Sequence, residues 1–360
     1  MVSLKWKDKE QELKQLDKKT TDLSTLIYKQ EILIPSIIKS KEKVLTSNQK
    51  SINSYESQIK RDQINNLLIY GENKQILSTM LDQYKEKINL IYIDPPFATG
   101  GDFNLKLFYS KEKNNYIESL AYDDTWNAGI DSYLSFLYKR LYLMRDLLSP
   151  KGSIYLHLDY HVVHYVKIMM DEIFGSENFR NEIIWSYPAA SARTKNFYVR
   201  SYDSILFYTK TNDYIFNDDE NIYMEYSDRV RNSLKEDSNG LFYYRGGSHD
   251  GKKLSRKVYV EKNGVFPRDV WKDIPYIRAN TKEYQGFSTQ KPERLLKRII
   301  LASSNKGDLV ADFFCGSGTT LVVAEKLDRH WIGCDANWYS INRTSSKKIF
   351  FKRFSTRINL

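Results

Sequence analysis

Residues 308–325, DLVADFFCGSGTTLVVAE, decide the fold. Asp308–Phe314 reads as an apolar strand, Gly316-Ser317-Gly318 as a tight turn, and the residues up to Leu327 as a helix. Glycines let a backbone turn sharply and let a ligand come close, and open α/β sheets bind ligands at the carboxyl ends of their strands. Gly-x-Gly alone is a weak signal. A phosphate-cradling loop would carry a lysine after its last glycine, and none follows Gly318. A dinucleotide fingerprint would carry a third glycine where Leu321 stands. The next strand, Trp331–Asp335, ends on an acid that either accepts hydrogen bonds from a ribose or caps the following helix. Asp312 has the same two options, a ligand or backbone amides. A cofactor with a ribose but no pyrophosphate fits this turn, and S-adenosylmethionine is the candidate.

Strands and helices alternate on both sides of that stretch. Upstream lie a strand at Asn66–Tyr70, a helix to Tyr84, a near-continuous apolar strand at Ile88–Asp94, and an amphipathic helix at Leu134–Leu148. A strand at Gly152–Asp159, a helix at His161–Phe174, and strands at Ile183–Tyr187 and Ser204–Thr209 follow. Alternation of this kind predicts a doubly wound α/β sheet, and an apolar run without polar interruption predicts a strand buried on both faces. From about Lys210 to Tyr284 the rhythm gives way to polar, charged and aromatic sequence that looks inserted. Regularity returns with a helix at Pro292–Ser304.

The first sixty residues are different in kind. Leu13, Leu16, Thr20, Leu23 and Ile27, then Ile38, Leu45, Ile52 and Ile59 beyond Pro35, follow helix-packing spacings. They predict a helical arm that either makes a homodimer or lies against its own catalytic domain. The 360 residues carry a net charge of +10, and Arg343, Lys347, Lys348, Lys352, Arg353 and Arg357 crowd the last twenty without an acid. A basic surface suits a polyanion, because phosphate contacts release condensed counterions. Cys315 and Cys334, the two cysteines, sit in apolar runs and form neither a disulfide framework nor a metal cluster. His161 and His164 lack a third ligand, so no metal is expected. His157 and Asp159 have no activated nucleophile beside them, which argues against hydrolysis. No apolar run is long enough for a bilayer and the start does not read as a signal peptide, so no membrane is expected and the cytoplasm is the expected compartment.

Asp94-Pro95-Pro96-Phe97 stands where a buried strand ends. Two prolines fix two φ angles, so the Asp94 carboxylate and the Pro95 carbonyl are held with little freedom. Two adjacent acceptors suit an exocyclic NH2, whose nitrogen lone pair is otherwise delocalised into its ring. Holding both hydrogens frees that lone pair to attack, which is catalysis by orientation and electrostatics. Phe97 can lie against the same base.

These residues resemble the amino-methyltransferases of DNA in the arrangement whose catalytic motif precedes the cofactor motif. Asp94–Phe97 is similar to the catalytic motif, and Asp312–Thr320 to the cofactor loop, with Phe313 in place of the usual proline. The resemblance extends to Gly71-Glu72-Asn73, Tyr122–Trp126, Phe174–Tyr187 and Ser288–Ile300, and is nearest to modification subunits of type III restriction systems. It implies a Rossmann-like methyltransferase sheet in permuted order. It also implies cofactor contacts from Gly71, Asn73, Asp94, Thr289, Gln290, Lys291, Asp312, Phe314, Gly316, Gly318, Thr319 and Asp335. The division that follows is a helical arm at 1–62, a catalytic half at 63–187, a target-recognition insertion at 188–284, and a cofactor-binding half with a basic C-terminal helix at 285–360. In the insertion, Arg193, Lys195, Arg200, Tyr243, Arg245, Lys252, Lys253, Arg256 and Lys257 are candidates for phosphate or base contacts. The implied activity is methylation of adenine N6 in double-stranded DNA, with the base flipped out. The alternatives are cytosine N4, an RNA amine, or a non-catalytic DNA-binding subunit. A restriction endonuclease is the implied protein partner.

Overall fold

The computed structural model describes residues 4–6, 9–10, 32–33, 66–97, 102–108, 116–123, 129–187, 195–249, 252–253, 255–260, 264–287 and 289–345. The heptad positions of the arm, Arg193 and the basic tail beyond residue 345 lie outside them.

Eight strands carry the fold: β1 (Leu67–Tyr70), β2 (Ile88–Ile93), β3 (Leu148–Leu158), β4 (Phe179–Ser186), β5 (Tyr202–Thr209), β6 (Val270–Trp271), β7 (Leu309–Asp312) and β8 (His330–Asp335). With the two-residue strand Ile32–Leu33 at one edge, they form a single sheet in the order Ile32–Leu33, β1, β8, β7, β2, β3, β5, β4, β6. The run from β1 to β3 is parallel, and β5 is antiparallel to both of its neighbours. Helices α1 (Asn73–Tyr84), α2 (Ile130–Leu147) and α3 (Val163–Phe174) cover one face. Helices α4 (Glu293–Ser303), α5 (Thr319–Lys326) and α6 (Trp338–Ser345) cover the other.

Strand β2 shows why its sequence is almost wholly apolar, Asn89 excepted, whose Oδ1 accepts from the Leu309 amide at 3.0 Å. Ile88, Ile91 and Ile93 pack with α1 to α3, whereas Leu90 and Tyr92 pack with α4 to α6. Each such side chain contributes roughly 1.5–3 kcal/mol on burial, and neither face can be polar. The same alternation runs through Leu156 against Tyr155 in β3 and Leu206 against Phe207 in β5. The chain leaves β2 for β3 on one side and leaves β7 for β8 on the other, although β2 and β7 are neighbours. The winding therefore reverses between these two strands, the place where open α/β sheets leave a crevice.

Two features depart from the sequence reading, and a third falls within an alternative it left open. An antiparallel hairpin, Asp102–Phe108 with Tyr116–Asp123, stands between β2 and α2. The expected insertion at 188–284 is corrected at both ends, because β5 is an internal strand of the sheet and Val270–Trp271 is its edge. What lies outside the sheet is the stretch between them, with its own three-stranded sheet of Lys235–Asp237, Gly240–Arg245 and Arg256–Tyr259. Buried Arg298 on α4 ties that stretch down, bonding the Ile222 carbonyl at 2.9 Å and both Asp273 oxygens at 3.0 and 2.6 Å. At the amino end, Trp6 is buried against Tyr138 of α2, with ring centroids 5.2 Å apart.

Candidate active site

Both corners singled out in the sequence open into one cavity of about 880 Å³, within the ~300–1,000 Å³ usual for small-molecule sites. Its wall includes Asp94, Pro95, Pro96, Phe97, Asn73, Thr289, Gln290, Lys291, Asp312, Phe314, Gly316, Thr319 and Asp335. Of the expected residues only Gly71 and Gly318 stand behind it. Gly71 donates to the Asp335 carbonyl at 3.1 Å, and Gly318 donates to the Cys315 carbonyl at 2.6 Å.

The glycine corner is braced by its own acids. Asp312 ends β7, and its two oxygens accept from the Phe314 amide at 3.0 Å and the Thr320 hydroxyl at 2.5 Å. Asp335 ends β8 and accepts from the Gly316 amide and the Asn337 amide, both at 2.8 Å. Asn337, not Asp335, caps α6, accepting from the Tyr339 amide at 2.8 Å. Burial pushes the Asp312 carboxyl up to about 7 against those hydrogen bonds, and the nearby Asp94 charge adds to the rise. Burial likewise raises Asp335 to about 6. Gly318 has φ +73° and backs onto Thr344, so any Cβ there would lie 2.4 Å from the Thr344 methyl. Gly316 has φ +47°, and a Cβ on it would meet nothing closer than the Phe314 carbonyl at 4.0 Å. It lines the cavity and keeps its backbone open to a ligand.

The proline corner is different. One Asp94 oxygen, Oδ2, accepts from Lys291 Nζ at 2.5 Å, while Oδ1 is buried and has no partner among the described residues. Leaving a buried acceptor unsatisfied costs roughly 1–3 kcal/mol. Lys291 also donates to the Thr289 carbonyl at 3.2 Å and lies 5.6 Å from the Phe97 ring centre. Gln290 is spent on the loop before α4, bonding the Gln285 amide at 2.7 Å and the Glu283 carbonyl at 2.8 Å.

One residue, and the partners of another, escaped the sequence reading. Arg140 of α2 is buried and bonds Asn73 Oδ1 at 2.5 Å, Glu72 and the Phe136 carbonyl. Asn73 in turn donates to the carbonyl of Phe313 at 2.9 Å, so the Gly71-Glu72-Asn73 turn is pinned to the strand end before the glycines. A lone arginine among Leu137, Leu141 and Met144 on an apolar helix face was the available signal. His157 is the other. It is fully buried, receives a hydrogen bond from Tyr92 at Nδ1 (2.9 Å), and donates from Nε2 to Asp203 at 3.0 Å. Tyr187 donates to the other Asp203 oxygen at 2.8 Å. Burial would raise Asp203, but hydrogen bonds from His157 and Tyr187, with the Lys291 charge, hold it below its ordinary value. The partner of His157 is thus Asp203 rather than Asp159, which bonds His161 at 2.5 Å. The His157 ring stacks on Phe97 at 6.2 Å and 22°.

A crevice at a winding reversal, lined by a ligand-open glycine turn and an unsatisfied carboxylate, defines an α/β enzyme that binds a ribose-bearing cofactor beside a polar substrate group. Residues 88–346 match the DNA methylase family, and the chain belongs to it. It is 32% identical over 339 residues to the type II methyltransferase M.EcaI of Enterobacter cloacae, covering 81% of this chain and 69% of that one. It is 30% identical over 253 residues to the DNA adenine methyltransferase YhdJ of Escherichia coli, covering 70% and 73%. It is also 26% identical over 378 residues to a probable type III restriction-modification enzyme, the HindVI Mod subunit of Haemophilus influenzae, covering 75% of this chain and 48% of that one. The protein is a DNA methyltransferase and its cofactor is S-adenosylmethionine. The donor set fits that group: Asp335 at a strand end for ribose hydroxyls, and a glycine whose missing side chain leaves room. Among the described residues no helix is long and apolar enough to cross a membrane.

Proposed function

We propose that this enzyme methylates N6 of an adenine extruded from double-stranded DNA. Asp94 carries the reading: it lines the cavity, and its buried Oδ1 has no partner among the described residues, a deficit that a substrate amine would make good. Lys291 occupies Oδ2, so one amine hydrogen goes to Oδ1 and the other to the Pro95 carbonyl. Phe97, backed by His157, supports the base ring. With both hydrogens held, the nitrogen lone pair is released from the ring and aimed across the cavity. The amine must then shed one proton, and Asp94 Oδ1 is placed to take it. S-adenosylmethionine, when bound, supplies a methyl group made electrophilic by its sulfonium. Asn73, Phe314, Gly316, Thr319 and Asp335 would hold it, with Thr289 and Lys291 between the two ligands.

Adenine is favoured over the cytosine amine by the likeness to YhdJ and by Asp, rather than Ser, before the two prolines. Likeness to the HindVI Mod subunit supports a place in a restriction-modification system with an endonuclease partner, at work in the cytoplasm. A homodimer through the first sixty residues is part of the same proposal. The test is nucleoside mass spectrometry and single-molecule sequencing of DNA treated with the enzyme and S-adenosylmethionine. N6-methyladenine at a fixed sequence is expected, and N4-methylcytosine instead would move the assignment to the other base.

A further inference from the structure

The carboxyl edge of the sheet carries an exposed aromatic segment that the chemistry above leaves unused. Lys195-Asn196-Phe197-Tyr198-Val199-Arg200 leads into β5. Tyr198 is 97% exposed, Phe197 56% and Val199 38%. Single exposed apolar side chains are ordinary, but three in a row flanked by Lys195 and Arg200 make a basic-rimmed apolar tip. Arg200 is stacked over the Tyr160 ring at 3.8 Å and lies 5.3 Å from the Phe197 ring centre. Tyr160 directly follows β3, so the tip is fastened to the carboxyl ends of the strands rather than to the far side of the molecule. It is also joined to the catalytic corner. Asp203, three residues beyond Arg200, bonds His157, and His157 stacks on Phe97.

We propose that the Phe197–Tyr198 tip enters the base stack of duplex DNA and fills the space vacated by the extruded base. This rests on the base-extrusion reading given above. Extrusion costs a few kcal/mol of lost pairing and stacking, and planar or apolar side chains inserted between base steps offset that cost elsewhere. The Tyr198 ring, almost wholly exposed, has little packing of its own to lose on insertion. Lys195 and Arg200 face the polyanion on either side of it.

The test uses the full-length enzyme, S-adenosylmethionine, and duplexes containing the methylated site, with the target paired normally or set opposite an abasic position. Tyr198→Ala is expected to lower kcat/KM on the paired duplex roughly 10- to 100-fold, as loss of one base–aromatic stack implies. On the abasic duplex, where little pairing opposes extrusion, the deficit is expected to shrink to about threefold or less. Tyr198→Phe should behave as wild type, since the ring and not the hydroxyl does the stacking. With 2-aminopurine at the target, the fluorescence rise on binding should fall in the alanine variant and persist in the phenylalanine one. Unchanged kcat/KM in Tyr198→Ala, or an equal deficit on both duplexes, overturns the wedge while leaving the catalytic reading intact. Absence of a fluorescence rise and of any abasic-site preference in the wild-type enzyme overturns extrusion itself, and the wedge with it.

Discussion

Asp94 and Asp312 stand at the ends of neighbouring parallel strands, β2 and β7, and both line the same cavity. Their surroundings differ. Both oxygens of Asp312 are satisfied by the protein, from Phe314 and Thr320, whereas Asp94 offers one oxygen to Lys291 and leaves the other bare. In the glycine corner Asp312 is turned inward, onto Phe314 and Thr320. The proline corner is incomplete, its backbone fixed covalently and one oxygen of its acid buried without a partner among the described residues. A carboxylate at a strand end is therefore not a role in itself; the partners it already has decide what remains for a ligand.

The largest effect should come from the incomplete corner. Asp94→Ala is expected to lower methyl transfer by roughly 10³-fold or more, while calorimetry finds S-adenosylmethionine binding little changed. Activity retained in that variant would erase the contrast. At the glycine corner the two glycines should separate. Gly318→Ala forces a Cβ against Thr344 at a positive φ, so it should cost roughly 1–3 kcal/mol in chemical denaturation, partly recovered by adding Thr344→Ala. Gly316→Ala shares the strain of a positive φ, here +47°, but meets no atom closer than 4.0 Å. It should therefore cost less stability than Gly318→Ala and instead weaken cofactor binding, because Gly316 lines the cavity.

A titration sharpens the comparison further. Asp312 at about 7 and Asp335 at about 6 lie above their ordinary 3.8. The folded protein therefore holds these protons more tightly than the unfolded chain between about pH 4 and 7, and the cofactor-free enzyme should lose stability as pH rises through that window. The cofactor carries positive charge and hydroxyl donors, both favouring ionised carboxylates. Its Kd should accordingly fall over the same range, and Asp335→Asn should flatten the slope in isothermal titration. The effect on the cavity is smallest at the amino end. Trp6→Ala should lower stability by roughly 3–5 kcal/mol without altering cofactor Kd, since Trp6 packs on Tyr138 away from the cavity.

Much of the framework was legible because a two-faced buried strand and a strand–turn–helix junction leave strong local patterns. Ile88–Ile93 and Leu309–Asp312 are apolar for reasons that hold whatever their neighbours are, and glycines or prolines mark the corners. The hairpin of Asp102–Phe108 with Tyr116–Asp123 was not, because among the described residues it pairs only with itself and stands apart from the main sheet. Nor was the division of labour among the site residues. Sequence placed Lys291 and Gln290 beside the cofactor, but it carries no record of which acid a lysine will reach across 197 intervening positions. Arg140 and the pairing of His157 escaped because both depend on partners brought by other elements: Glu72 and Asn73 for one, Tyr92 and Asp203 for the other.

The sheet order has a consequence for how the molecule comes into being. Strands β1 and β2 are among the first made, yet β8 and β7, which separate them, are encoded more than two hundred residues later. Until those arrive, the emerging chain holds two apolar strands with a two-strand gap between them and raw hydrogen-bonding edges on each side. The crevice closes only when the last strand slides in. Such late, long-range closure makes for slow maturation and a prolonged hazard of edge-to-edge sticking on the ribosome. A chain stopped anywhere before β8 would be left with an open seam rather than a smaller working enzyme.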